Sequence, residues 1–350
     1  MTGRTRELHR GGYVILVVLG AGATRGASFV TGTRSTILPP LDADFFEQLQ
    51  RIPSPFSQDA ISNVLVDIAK LFSVPATPTL ERMFTTLEHT LKIQEASNKE
   101  GDMSHDELVR VRRRLMEAMA LVFRSSLVDE NGDHRSCKFH HKLVDNLMPG
   151  DRILSFNYDC LIDHTLRTFG SGKWDAAVGY GIAVASAARW DPAEAPLPED
   201  TIRLYKLHGS MHFRRTTGAV SLRSEPYERL KGKNLALIPP EWNKTLTEKP
   251  FGDIWRKASI ALRNATTIVL IGYSFPITDM HAEALFRISV GRRKLRNLIV
   301  VNPSVEARRR TREVLFRRLE ATTRVLEFDS LKDFAAHDAW AAWRREPEEP

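Results

Sequence analysis

Residues 13–19 read Tyr-Val-Ile-Leu-Val-Val-Leu, seven apolar side chains in a row, and they run straight into Gly20-Ala21-Gly22. A strand with one face in water alternates polar and apolar residues. A run without alternation needs cover on both faces, as in a parallel sheet flanked by helices. Arg4, Arg6 and Arg10 before the run and Ala21-Gly22-Ala23 after it imitate a secretory signal. The run is too short and too rich in Val and Ile for a signal helix, so a strand is the better reading. The sequence contains no stretch of about 18 apolar residues, the length a membrane-spanning helix needs, so no membrane association is expected.

Further β-type runs fall at 152–156, 202–207, 211–215, 235–238, 266–271, 297–301 and 324–328. Helical patterns separate several of them, notably at 253–264, 280–290 and 304–319. This alternation predicts an α/β fold with a mostly parallel sheet. Between the first two strands the pattern turns helical over about 41–148. Leu80, Phe84, Leu87 and Leu91 share one helical face, and Ser104-His105-Asp106-Glu107 opens another helix as a capping box. The expected organisation is one domain over about 10–330 carrying this helical insertion. A C-terminal helix and a polar tail ending in Arg345-Glu346-Pro347-Glu348-Glu349-Pro350 follow over 331–350. Prolines, including those from Pro192 to Pro198, punctuate the loops.

Composition narrows the function classes. With 42% apolar and 27% charged residues, the chain is not disordered as a whole. Its only cysteines, Cys137 and Cys160, exclude a disulfide scaffold and any four-cysteine zinc ribbon. They point to a reducing, cytoplasmic home, and no metal site is expected. Fifty basic against 43 acidic residues give a formal charge of +7. The excess gathers at Arg110–Arg114, at Arg292–Arg296, and at Arg308, Arg309, Arg310, Arg312, Arg317 and Arg318. Solvated helix faces explain these clusters better than nucleic acid or an acidic partner.

Chemistry-bearing residues cluster where strands end, the edge at which α/β sheets bind ligands. Gly20, Ala21, Gly22 and Thr24 follow the first strand. Glycines there allow a tight turn and close approach to a phosphate. Their spacing, with Gly26, is one residue wider than the dehydrogenase fingerprint, so this is no hydride-transfer loop. Asn157 and Asp159 follow the next strand, where helix capping is the competing role. His208-Gly209 ends a third strand and offers a base of near-neutral pKa with room beside it. Gly272-Tyr273-Ser274 ends a fourth, and Asp279 stands six residues after Tyr273 at helix-cap spacing. Asn302-Pro303 closes a fifth.

This order of elements resembles the sirtuin-like superfamily. Gly20-Ala21-Gly22-Ala23-Thr24 is similar to that family's Gly-Ala-Gly-x-Ser/Thr loop, Asn157-Tyr158-Asp159 to its Asn-x-Asp element and His208-Gly209 to its His-Gly element. Gly272-Tyr273-Ser274 and Asn302-Pro303 are similar to its late nucleotide-binding strands. The resemblance spans about 13–303 and implies a Rossmann-like fold. The zinc ribbon of sirtuin deacylases is missing, since no cysteine follows Cys160. The insertion and the Gly-Tyr-Ser-Phe-x-x-x-Asp element look instead like the bacterial sirtuin-like NAD hydrolases of antiphage defence.

The resemblance implies an NAD glycohydrolase with NAD as substrate and no metal. Asn157 would orient ribose or water and His208, partly exposed at its strand end, would be the base. Gly20, Ala21, Gly22 and Thr24 would cradle the pyrophosphate. Asp159 would hold ribose hydroxyls, and Gly272, Ser274, Asp279 and Asn302 would line the nucleotide site. Arg25 faces either the pyrophosphate or the surface. A homo-oligomer, or an operon-encoded sensor or ATPase subunit, would trigger activity. The alternatives are a non-catalytic NAD or ADP-ribose binding module, an NAD-dependent deacylase and a nucleic-acid-binding protein.

Overall fold

The computed structural model describes residues 14–30, 37–53, 58–72, 78–99, 101–170, 172–186, 201–217, 219–227, 235–240, 249–289 and 293–337. The N-terminal arginines, the Pro192–Pro198 stretch, Arg292 and the polar tail lie outside the described residues. The strands are β1 (Ile15–Leu19), β2 (Arg152–Ser155), β3 (Val184–Ser186), β4 (Arg203–Lys206), β5 (Gly209–Arg215), β6 (Val220–Leu222), β7 (Leu235–Leu237), β8 (Thr267–Ile271), β9 (Asn297–Val301) and β10 (Arg324–Phe328). The first six helices are α1 (Ala21–Arg25), α2 (Phe45–Gln50), α3 (Gln58–Phe72), α4 (Leu80–Ser97), α5 (His105–Leu127) and α6 (Lys138–Asn146). The others are α7 (Leu161–Phe169), α8 (Ala176–Gly179), α9 (Phe251–Asn264), α10 (Met280–Ile288), α11 (Val305–Leu315) and α12 (Leu331–Ala336).

Six strands form one sheet in the order β10-β9-β8-β1-β2-β4, and every pairing in it is parallel. The fold is therefore α/β and Rossmann-like. Taken in chain order, the first three of these strands step one way from β1 and the last three step the other way. The order thus reverses between β1 and β8, whose register pairs Leu19 with Ile271. At such a switch point the two halves diverge and leave a crevice at the carboxyl ends of the strands. Every residue of β1 and β8 is buried, as the unalternating apolar runs require. Asp151, itself buried, fixes the opposite end of the sheet by accepting from the Ile15 and Met148 amides at 3.1 and 2.8 Å.

The runs at 211–215 and 235–238 do not join this sheet. They belong to a second, four-stranded sheet in the order β3-β6-β5-β7. The chain leaves the main sheet after Lys206 and turns at Gly209, which has φ 78°. A Cβ there would stand 2.4 Å from the Ala236 carbonyl oxygen, so only glycine fits. β3 and β6 are three residues each and carry little sequence signal.

Helices α2 to α6 lie between β1 and β2 and form the helical insertion. Leu80, Phe84, Leu87 and Leu91 of α4 are buried together, and the capping box of α5 is formed, with the Ser104 amide donating to Glu107 Oε2 at 2.9 Å. Arg114 of α5 grips Asp67 of α3 with two hydrogen bonds at 2.6 and 2.7 Å. The arginine-rich stretch of α11 is matched by acids of the same chain. Arg308 and Arg312 reach Glu327, Arg309 reaches Glu306 and Glu313, and Arg310 reaches Glu283. Arg318 is no surface residue. It is buried, and its guanidinium donates to the backbone carbonyls of Leu262, Ala265 and Arg293. Among the described residues, no helix is long and apolar enough to cross a membrane.

Candidate active site

The glycines of the first loop meet the end of β8. The Gly20 amide donates to the Ile271 carbonyl and the Gly22 amide to the Gly272 carbonyl, both at 3.0 Å. Gly272 has φ 62°, and a Cβ on it would lie 2.1 Å from the Ala23 nitrogen and 2.2 Å from the Gly22 carbonyl carbon. These glycines therefore serve first to bring two backbones together across the switch point. Two amides expected to face a phosphate are bonded inside the protein. Ala21, at the head of the short α1, is the exposed part of this edge.

Asn157 and Thr24 lock the loop to the end of β2. Asn157 Nδ2 donates to the Gly20 carbonyl at 3.0 Å and to Thr24 Oγ1 at 3.2 Å. A carbonyl only accepts, so the amide nitrogen must face it and the orientation of the carboxamide is settled. Asn157 Oδ1 is left buried with no hydrogen-bond partner. Thr24 Oγ1 donates to Asp159 Oδ2 at 2.8 Å, while Asp159 Oδ1 accepts from the Leu161 amide at 2.9 Å. Both Asp159 oxygens thus bind the protein itself. The carboxylate steadies Thr24 and the turn into α7, whose N-cap is Cys160, so Asp159 is not the helix cap that competed with ribose binding in the sequence.

His208 follows β4 as Asn157 follows β2. The register pairs Ser155 with Lys206, so the two candidate residues stand at equivalent places, each two positions further on. The expected partial exposure of His208 is not met, because only 6% of the residue is accessible. Aromatic rings enclose it: Phe156 edge-on at 5.4 Å, Tyr158 stacked at 5.8 Å and Trp255 tilted at 6.3 Å. Trp255 is pinned by its bond to the Leu207 carbonyl at 3.0 Å and Tyr158 by its bond to the Ile238 carbonyl at 2.8 Å. Asp279 Oδ2 lies 3.8 Å from His208 Nε2 and accepts from the Tyr273 hydroxyl at 2.8 Å.

The remaining predicted residues sit on the β8 and β9 side. Ser274 is exposed just past Tyr273. Phe275 next to it is buried at φ 49°, a conformation non-glycine residues seldom adopt. Asn302 turns inward, donating to the Tyr273 carbonyl at 3.4 Å and accepting from the Ser304 amide at 3.0 Å, so it shapes the loop after β9. Arg25 pairs with Asp44 at the edge of the insertion.

Beneath the site lies a fully buried polar network that motif reading missed. Lys206 Nζ donates to Asp163 Oδ2 at 3.0 Å and to the Asp159 carbonyl at 2.5 Å. Tyr180 donates to Asp163 Oδ1 at 2.7 Å and therefore accepts from His212 Nε2 at 2.9 Å. The His212 Nδ1 edge meets Ser210 Oγ and Cys160 Sγ, each at 2.9 Å. The available signal was a lysine inside a strand whose neighbours are apolar. Such a charge is buried only with a partner.

This network makes the fold acid-sensitive. Burial pushes the His212 pKa down to about 3, with Asp163 opposing and Lys206 and Arg223 assisting. Burial, then His134 and Arg167, push His164 down to about 4. Both rings are neutral when folded, whereas an unfolded histidine titrates near 6.5. The folded state therefore binds fewer protons below that value, and the stabilisation present above about pH 6.5 is lost as pH falls. The loss for His212 is about 1.4 kcal/mol per pH unit. Thermal unfolding should show a melting temperature falling steadily from pH 6.5 to 4.5, and more shallowly for His212→Asn. A flat profile in the parent protein would contradict the assignment.

The strand order defines a doubly wound α/β domain, and the polar groups at the β1/β8 crevice form its candidate site at the switch point. Residues 151–320, just under half of the chain, match the family model of the SIR2-like domain, which supports a sirtuin-like superfamily assignment. No curated protein matches the chain. The matched segment holds Asn157, Asp159, His208, Gly272, Ser274, Asp279 and Asn302, and the hydrogen bonds above tie Gly20, Gly22 and Thr24 to it. A SIR2-like domain fits an NAD-related function. Among the described residues, no group of three or more His, Cys, Asp or Glu side chains could hold a metal ion.

Proposed function

We propose that the protein is an NAD glycohydrolase that cleaves the nicotinamide–ribose bond, with water as the acceptor of the ADP-ribosyl group. The observation that carries this reading is the buried Asn157 carboxamide, fixed through its nitrogen and left with an unpaired oxygen at the switch-point edge. A buried acceptor without a donor costs about 1–3 kcal/mol, and a ribose hydroxyl or a water supplies that donor. The residues present therefore suit the substrate.

Nicotinamide leaves NAD as a neutral molecule from a cationic precursor, so no general acid is needed. The barrier lies in forming an oxocarbenium-like ribose and delivering water to it. Asn157 Oδ1 orients the hydroxyl or the water, and His208 takes the proton. The rings of Phe156, Tyr158 and Trp255 keep bulk water from the imidazole. Ala21 and Ser274, exposed on either side of the crevice, are placed for the pyrophosphate and adenosine parts.

The likeness of the insertion and of the Gly-Tyr-Ser-Phe-x-x-x-Asp element to antiphage NAD hydrolases supports a role in NAD depletion during cytoplasmic defence. Unrestrained hydrolysis would exhaust a cell's cofactor, so a second copy or a sensor subunit gates the enzyme. Arg308, Arg309 and Arg310 of α11 are engaged in internal ion pairs, which leaves the helices of the insertion as the favoured docking surface. The test is nicotinamide release from NAD by the purified chain, alone and with its co-expressed genomic neighbour. Release in either arm supports the reading. Tight NAD or ADP-ribose binding without release in both arms would replace it with a binding module, and release that requires an acetylated peptide would replace it with a deacylase.

A further inference from the structure

We propose that Asp279 is the positioning residue of His208, and that its carboxylate, held by Tyr273, determines which imidazole nitrogen is basic. This deepens the NAD-cleavage reading of the site and rests on it. Asp279 occupies the N-cap of α10, where an aspartate normally accepts from an amide of the first turn. Its side chain makes no such bond, although its carbonyl oxygen accepts from the Ala282 and Glu283 amides. The forgone cap is worth about 1 kcal/mol. The carboxylate is instead turned into the protein, 4% accessible, against Tyr273 and the imidazole. A fold that gives up a cap and buries a charge beside aromatic rings is holding that charge for another group, and His208 is a titratable side chain beside it, with Nε2 3.8 Å away.

The supports of Asp279 are rigid. The Tyr273 ring stacks on Phe156 at 4.2 Å and meets Phe275 edge-on at 4.9 Å. Phe275 packs in turn on Phe286 of α10 at 4.9 Å. Thr278, one residue before Asp279, donates to Glu81 at the start of α4, so the helical insertion holds the same loop. The 3.8 Å between Asp279 Oδ2 and His208 Nε2 is longer than a hydrogen bond. Such contacts in unliganded sites are often long and tighten when substrate binds. A carboxylate on the Nε2 edge stabilises the proton there and leaves the lone pair on Nδ1. This is the base-plus-orienter arrangement that activated histidines use.

Asp279→Asn tests this, because it keeps the shape and the acceptor for Tyr273 while removing the charge. The expected result is a fall in kcat for NAD cleavage of about 10- to 100-fold, with KM little changed and partial recovery in Asp279→Glu. Unchanged kcat with a raised KM would make Asp279 a nucleotide ligand and overturn the proposal. A second readout needs no turnover. Long-range proton–nitrogen NMR of histidine-labelled protein should show His208 protonated at Nε2 in the parent and as a tautomer mixture in Asp279→Asn. Identical spectra, or a parent ring protonated at Nδ1, would overturn the proposal. A parent protein that cleaves no NAD would instead overturn the functional reading, leaving the NMR result to decide the His208–Asp279 pairing by itself.

Discussion

Nicotinamide release by His208→Ala is expected to fall by about 10²–10⁴-fold, the usual contribution of a positioned base. The variant should lose stability as well. His208 is buried among Phe156, Tyr158 and Trp255, so truncation opens a cavity between rings that are themselves pinned by hydrogen bonds. The cost should be about 2–4 kcal/mol, in the range of large-to-small core changes. A chemical role and a packing role are separated by a second core variant of similar cost far from the imidazole. Val269→Ala, in the middle of β8 and fully buried, serves this purpose. Cleavage per folded molecule should persist in Val269→Ala and vanish in His208→Ala at a temperature where both are folded. Equal losses in the two variants would reduce His208 to a packing residue. Asn157→Ala should behave like His208→Ala in turnover, since it removes both the lock on Gly20 and the oxygen aimed at the ligand.

Gly272→Ala is expected to be the most damaging single-methyl addition in the site. The new Cβ would stand about 2 Å from the backbone of the opposing loop, at Ala23 nitrogen and Gly22 carbonyl carbon, where no side chain can rotate away. Its φ of 62° adds a backbone penalty of about 1–2 kcal/mol for any residue with a Cβ. Separating the loops enough to fit the methyl would also stretch the Gly22–Gly272 and Gly20–Ile271 bonds. With overpacking at about 1–3 kcal/mol, the total is on the order of 4 kcal/mol. Denaturant unfolding should place Gly272→Ala far below Gly26→Ala. There the nearest opposing atom would be the Gly22 carbonyl oxygen at 3.2 Å and the next the Leu331 Cβ at 3.6 Å. Similar midpoints for the two variants would show that the loops are not in tight register.

Much of the architecture was legible in the chain because parallel strands buried on both faces announce themselves as unbroken apolar runs. Residues 13–19, 266–271 and 297–301 could be little else, and β1, β8 and β9 lie there as adjacent strands. The insertion was equally plain, since α4 and α5 carry apolar stripes at helical spacing and a capping box local enough to read directly. The residue types of the site were visible too, because an amide, a histidine and glycines at strand ends stand out against apolar neighbours.

Tertiary structure decided what those residues are for. Glycines that read as a phosphate cradle turned out to join two loops, because the partner of Gly22 is Gly272, 250 positions along the chain. Asp159 and Asp279 looked interchangeable as cap or ligand. One accepts from the Leu161 amide just ahead of α7 without being its N-cap, while the other makes no side-chain cap bond and lies 3.8 Å from His208 Nε2. The burial of His208 followed from rings on two separate segments, and the Lys206–Asp163 pair from a strand and a helix about 40 residues apart. Local sequence fixes periodicity, caps and turns, since these depend on neighbours within a few bonds. The partner of a polar atom is chosen by the crossing of distant segments, and no window of sequence contains it.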